Sequence, residues 1–396
     1  MNRLDPLDSL TMILHLDPGA AERQGLTADR IDWLAMVGLA RRHLLEPALW
    51  PALIEKKLAA PPPQALRDFF CARASGGNRH YLLALEEDYR ANAVRNAAIR
   101  DQACAIIAAL NNAGIEPGAL KGARALLEND GASSFARSRI LRDIDLLVPA
   151  AQWELASHAL DKAGYRKTGE GANTAAFNHV MGGVELDLHR APLALHEPMP
   201  LPDFLTADGF WRHAEAAVLL GLSWRRLKPA QSLLHAIVHT EIADLNFAAG
   251  DWALRYLYET ACLTRGLSEW PDAGALEMAK LRRPVNAHLF AAHRLFGGSL
   301  PPGFAADAGM RRHFQRCRLN ARHPRTIRRI GILVYKLRQA MTPWYLARAG
   351  LYRPESGGSL LAARLQALAA LCRRHLLRLP RLLLGGDDSG VPPPRV

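Results

Sequence analysis

The stretch Arg142-Asp143-Ile144-Asp145-Leu146-Leu147-Val148 decides the fold. It lies in a run from Ile140 to Val148 that Pro149 closes, and its alternation of acids and aliphatics is that of a β-strand. Residues two apart on a strand face the same way, so Asp143 and Asp145 project together while Ile144 and Leu146 enter a core. Two carboxylates side by side repel, and each raises the other's pKa unless a cation lies between them. Magnesium suits that role, because it binds a few carboxylates together with phosphate oxygens.

Downstream, Val184-Glu185-Leu186-Asp187-Leu188-His189 alternates in the same way and sets Glu185, Asp187 and His189 on one face. Paired beside the first strand, it would supply a third carboxylate. Three carboxylates can hold two metal ions, one lowering the pKa of an attacking hydroxyl and the other steadying a leaving pyrophosphate. Upstream, Leu120-Lys121-Gly122-Ala123 marks a strand-to-helix junction. Gly122 would let backbone approach a phosphate, free N–H groups at the helix start favour anions, and Lys121 adds a point charge. Arg139 and Arg142 are further candidates for triphosphate contact. Taken singly, each signal has a plainer reading as a solvated strand face or ordinary turn chemistry. Their order within about seventy residues favours a site.

The rest of the chain is organised around this core. Strands are expected at Gly118–Lys121, near Tyr165 and near Phe177, with Gly182-Gly183 as the hairpin turn before the second acidic strand. Helices are expected over Ala123–Asn129 and Trp153–Ala163, giving an α+β fold in which a small mixed sheet carries helices on one side. This core spans 116–192. Before it, residues 1–115 read as an N-terminal helical region: a helix capped by Thr27-Ala28-Asp29 and running through Leu44, a break at Pro61-Pro62-Pro63, then a long amphipathic helix from His80 to Leu110. After it come a helical domain over 193–300, a basic helical segment over 301–384 and a flexible tail over 385–396.

The formal net charge of the 396-residue chain is +12, unevenly spread. Residues 310–384 carry about 17 lysines and arginines against one acid, Glu355, which leaves the first 309 residues near −3. In the basic segment Leu361, Leu365, Leu368, Cys372, Leu376 and Leu379 recur at helical spacing, with Pro380 expected to end the helix. Three roles are open for it: a cap packed on the body, a helix lying on an anionic membrane surface, or a grip on RNA phosphates. The five cysteines show no C-x-x-C spacing, no apolar run approaches a membrane span, and the first residues lack the pattern of a signal peptide. A cytoplasmic protein, peripheral to the membrane if the basic helix lies there, is the expectation. His235 and His239 stand one helical turn apart, but no Glu follows His235 as a metalloprotease requires, so they are expected to line the core or the site, as are Glu185 and His189.

Together these motifs resemble the uncharacterised nucleotidyltransferase family of the polymerase-beta-like superfamily. The resemblance rests on Leu120-Lys121-Gly122, on Arg139 ahead of Asp143-Ile144-Asp145-Leu146-Leu147-Val148, on Gly164-Tyr165, on Glu185-Leu186-Asp187-Leu188-His189, and on a later helix with His235 and His239. It implies a polymerase-beta-like core flanked by helical regions, dependence on Mg2+ with two ions, and transfer of a nucleotidyl group from a nucleoside triphosphate such as ATP. By position, Asp143 and Asp145 match the paired metal ligands. Asp187 matches the third acid, which helps activate the acceptor hydroxyl, with Glu185 as the fallback. The superfamily usually places Gly-Ser or Gly-Gly shortly before the acidic pair, whereas Gly122-Ala123 stands well upstream here. The first expectation is an enzyme acting on a hydroxyl or phosphate of a small molecule, peptide or protein. The alternatives are a catalytically inactive binding protein of the same fold and an RNA-modifying nucleotidyltransferase.

Overall fold

Short aliphatic runs that alternate with polar residues build one mixed sheet in the computed structural model, which describes residues 4–23, 25–27, 30–58, 81–128, 137–195, 199–270, 276–277, 279–322, 342, 346 and 359–376. The strands are β1 (Gly118–Ala119), β2 (Asp143–Leu147), β3 (Tyr165–Glu170), β4 (Thr174–His179), β5 (Glu185–His189), β6 (Glu215–Leu219) and β7 (Leu222–Arg226). Their order is β3-β4-β5-β2-β1-β7-β6. β2 and β5 are parallel and in register, while β1 runs antiparallel to β2 and β4 antiparallel to β5. The turn before β5 uses Gly182 and Gly183 at φ 93° and 113°, as the glycine pair predicts.

The helices are α1 (Pro6–Leu14), α2 (Trp33–Arg42), α3 (Glu46–Glu55), α4 (Tyr81–Asn112), α5 (Lys121–Glu128), α6 (Trp153–Lys162), α7 (Ala207–His213), α8 (Pro229–Val238), α9 (Leu254–Arg265), α10 (Arg282–Phe296), α11 (Ala308–Arg322) and α12 (Leu360–Leu376), besides single helical turns. By internal packing the chain divides into two units, Met1–Arg322 and His323–Val396.

Among the described residues, four apolar clusters hold the first unit, three of them large. Under the sheet, Ile144, Leu146, Leu186 and Leu188 meet Ile99, Ala103, Ile106 and Leu110 of α4 and Trp153 and Leu160 of α6. Each aliphatic buried in this way contributes about 1.5–3 kcal/mol relative to exposure. A second cluster joins α1, α2 and α3 to Leu257 and Ala261 of α9, Leu295 and Phe296 of α10 and Cys317 of α11. A third gathers Leu233, Leu234, Ile237 and Val238 of α8 against Val285 and Leu289 of α10.

Several expectations need correction. The stretch after residue 190, read as helical, contains the hairpin β6–β7, which extends the sheet beyond β1. The sheet is not bare on its second side: Leu147 packs with Leu120, Phe210, Ala214 and Leu227, so α7 covers that end. The cap of the early helix is Asp32, which accepts a hydrogen bond from Ala35 N, and the helix stops at Arg42 rather than Leu44. On α12 the buried face is Ala363 and Ala367, with Leu346 packed on them, whereas Leu361 and Leu365 of the expected apolar series are exposed. Pro61-Pro62-Pro63, Asp29, Pro380 and the tail 385–396 lie outside the described residues. Cys104, Cys262 and Cys317 are free thiols. Among the described residues, no helix is long and apolar enough to cross a membrane.

Candidate active site

The parallel register of β2 and β5 sets Asp143 beside Glu185, Asp145 beside Asp187 and Leu147 beside His189. Paired residues on adjacent strands share a sheet face. Asp145, Asp187 and His189 consequently each present a ligand atom within 4.8 Å of the others. Asp145 is nearly inaccessible at 2 % exposure. Its Oδ1 accepts hydrogen bonds from Lys121 Nζ at 2.8 Å and lies 3.0 Å from His189 Nε2.

Charge in this cluster is unbalanced. Burial pushes the Asp187 carboxyl up to about 6, and the neighbouring charge of Asp145 adds to the rise. Asp143 is raised by the same two causes in the same order, against partial relief from Lys121, Arg255 and Arg139. Burial also acts to raise Asp145, but Lys121 and His189 outweigh it and hold that carboxyl well below the usual range. For Lys121 burial works against the charge, and Asp145 overcomes it, pushing the ammonium up to about 12. A set of hard oxygen donors with one imidazole, short of positive charge, fits a divalent cation.

The backbone leading into β2 is clamped from two sides. From α4, Asn92 Nδ2 donates to the carbonyls of Arg137 and Arg139 at 2.6 and 3.0 Å, Asn96 Nδ2 donates to that of Arg139 at 2.7 Å, and Arg95 donates to that of Leu141. From α9, Arg255 Nη1 donates to the Ile140 carbonyl at 3.2 Å. The Arg139 guanidinium itself is paired with Glu259 at 2.9 Å. Gly122 sits beneath this segment, where a Cβ would collide with Leu141 Cδ2 and stand 3.4 Å from Arg139 Nε. The absent side chain there serves close packing of this bridge. Lys121, first residue of α5, has φ 43°, a left-handed conformation that costs a non-glycine residue on the order of 1–3 kcal/mol and marks a backbone the fold over-determines.

A cleft shares Lys121 with the cluster and is lined further by Arg139, His235, His239, Tyr256 and Glu259. His235 is neutral there: burial lowers its pKa to about 3, and its Nε2 lies 2.8 Å from the Pro192 carbonyl, to which it donates. His239 Nδ1 is 3.3 Å from Asp244 Oδ2, and a π-helical turn over His239–Ala243 follows. Among the described residues, neither histidine joins a group of three metal-ligating side chains.

Of the sequence-predicted residues, Asp145, Asp187 and His189 share one group of ligand atoms, with Lys121 bound to Asp145. Asp143 and Glu185 stand side by side in register and add their charge to Asp187 from outside that group. Gly122 adjoins Lys121, and Arg139, His235 and His239 line the cleft. Arg142 is exposed. The guanidinium that acts on Asp143 beside Arg139 is that of Arg255, which sequence reasoning missed together with Glu259. Their one local signal is the four-residue spacing of Arg255 and Glu259, one turn apart on a helix, which any surface ion pair also shows.

We find no match among curated proteins. Among solved structures, the antibiotic-resistance factor ANT(2'')-Ia, whose solution structure is described as revealing substrate-regulated conformation dynamics, matches with 16% identity. That match covers 50% of this chain and 97% of the other, with a TM-score of 0.31. A sequence profile described as uncharacterised nucleotidyltransferase matches residues 29–297, a stretch that runs from the early helices through both acidic strands to the end of α10. With the converging acids and their helical frame inside that stretch, the chain belongs to the family of uncharacterised nucleotidyltransferases.

Proposed function

We propose that the chain is an Mg2+-dependent enzyme that moves an NMP group from a nucleoside triphosphate to a hydroxyl or phosphate on a small molecule, peptide or protein. The observation that carries this reading is the in-register pairing of Asp145 with Asp187 on neighbouring parallel strands. Asp143, Asp145 and Asp187 are the residues that would hold the metal, two ions in all. When bound, the cations would neutralise charge on the triphosphate and its departing pyrophosphate. Asp187, on the strand beside Asp145, is the acid placed to help take the proton of the acceptor hydroxyl. Lys121, with Arg139 anchored at its backbone and side chain, presents positive charge to the phosphates from the cleft. The fixed carbonyls at Arg139, Ile140 and Leu141 keep the start of β2 from moving as charge shifts. The near-neutral charge of the first 309 residues supports an acceptor other than a long nucleic acid.

The test is to incubate the protein with labelled nucleoside triphosphates, Mg2+ and cell extract and to identify the molecule that acquires label. Loss of labelling in the double variant Asp143→Ala, Asp145→Ala is the expected control, and persistence of labelling there removes the site assignment. Triphosphate binding without pyrophosphate release would make the chain a non-catalytic member of its fold. Label in RNA, lost with the basic residues after Arg322, would move the acceptor to RNA.

A further inference from the structure

The ammonium of Lys121 stands where a divalent cation would have to act. Asp145 Oδ1 already carries two partners, Lys121 Nζ at 2.8 Å and His189 Nε2 at 3.0 Å. The second oxygen of Asp145 leaves lone pairs for a metal ion, but an ion there shares one carboxylate with the ammonium, and two cations that close repel. His189 rises from β5 with its side chain 8 % exposed, fixed beside Asp145 and itself one of the three clustered ligands. Lys121 reaches Asp145 from α5 on a flexible four-carbon stem and also lines the cleft. The other cations near the acids are not free to leave: Arg139 is tied to Glu259, and Arg255 to the Ile140 carbonyl and, at 2.7 Å, to Tyr256 Oη.

We infer that Lys121 is a displaceable counter-ion, which occupies the cation position at Asp145 until a divalent metal and a triphosphate arrive together. This rests on the reading of Asp143, Asp145 and Asp187 as metal ligands. Metal alone meets the repulsion of the ammonium at the most buried carboxylate of the cluster, or drives it off to stand without a partner. Triphosphate supplies that partner, because the freed ammonium can meet its phosphates in the cleft. The two ligands therefore bind with positive coupling, each tightening the other by the same factor. The chain would resist metal in the absence of substrate. Lys121 on this view serves Asp145 in the empty site and the phosphates in the filled one.

The experiment measures binding of Mn2+ by electron paramagnetic resonance, alone and with a non-hydrolysable α,β-methylene triphosphate. The wild-type chain is expected to bind Mn2+ weakly alone and about tenfold or more tightly with the nucleotide, within the range typical of coupled sites. Lys121→Met, which keeps the side-chain volume and removes the charge, is expected to bind Mn2+ alone about tenfold more tightly and to lose most of the nucleotide enhancement. Lys121→Gln serves if Lys121→Met does not fold, as judged by its thermal melt. Unchanged or weaker binding of Mn2+ alone in the folded variant overturns the inference while leaving the metal site standing. Absence of Mn2+ binding in wild type under both conditions, or binding that survives Asp145→Asn, removes the site and the inference with it.

Discussion

The first unit contains two buried hydrogen-bonded clusters built around a histidine, and they differ in one respect. In one, His288 Nδ1 lies 2.7 Å from Glu241 Oε1 and its Nε2 lies 3.0 Å from Thr260 Oγ1, so an acid, an imidazole and a hydroxyl satisfy one another. In the other, His189 and Lys121 share one oxygen of Asp145 while Asp143 and Asp187 face the same negative charge. The first cluster ties α9 and α10 to the π-helical turn and closes on itself. The second is left with negative charge in excess. Buried polar groups that are fully paired stabilise a fold; those left in excess are the mark of a site.

The largest expected effect separates the two directly. Asp145→Asn should lower nucleotidyl transfer by about a thousandfold or more, measured as pyrophosphate release, since the residue is a proposed metal ligand as well as the partner of Lys121 and His189. Next is the closed cluster. His288→Ala strands Glu241 and Thr260 in the interior and should cost about 3 kcal/mol of stability in a denaturant titration, with Mn2+ affinity unchanged. A parallel fall in Mn2+ affinity would show that the two clusters are one network, and the contrast would fail.

A smaller effect concerns pH. The Asp187 carboxyl is raised to about 6 in the folded chain against 3.8 for a free carboxyl, so the native state holds this proton more tightly than the unfolded state. Its stabilising contribution is complete below the unfolded value and is lost as pH rises through about 6. A divalent cation offsets that loss. Mg2+ should therefore raise Tm by a few degrees more near neutral pH than near pH 5, and equal shifts at both would argue that the cation binds elsewhere. The smallest effect is steric: Gly122→Ala pushes Leu141 aside and should cost about 1 kcal/mol by denaturant titration, with a modest loss of triphosphate affinity through the displaced Arg139.

The acids were legible because strand periodicity is local. Asp143 with Asp145, and Asp187 with His189, declare a shared face within a few residues, and parallel pairing of two such strands is a short step. The hairpin β6–β7 was hidden for an equally local reason. Ala214-Glu215-Ala216-Ala217-Val218-Leu219-Leu220 is made largely of helix formers, and its turn spends its first positive φ, 53°, on Leu220, with only Gly221 as punctuation. Arg255 and Glu259 could not be assigned because they reach the start of β2 from more than a hundred residues away along the chain. Arg142, adjacent to the acids in sequence, turned out exposed, since adjacency on a strand says nothing about which distant helix will cover it.

The 32-residue helix α4 buries Leu85 among the N-terminal helices at one end and Ile99 through Leu110 under the sheet at the other. Between those ends its Asn92, Arg95 and Asn96 grip the strand that carries the acids. It is a splint laid across two apolar clusters of the first unit. A jolt to the N-terminal helices is carried along one rigid rod to the threshold of the carboxylates, and heat that loosens either end tugs on the other. A substitution in α1 to α3, far from the acids, is therefore felt at the carboxylates through α4.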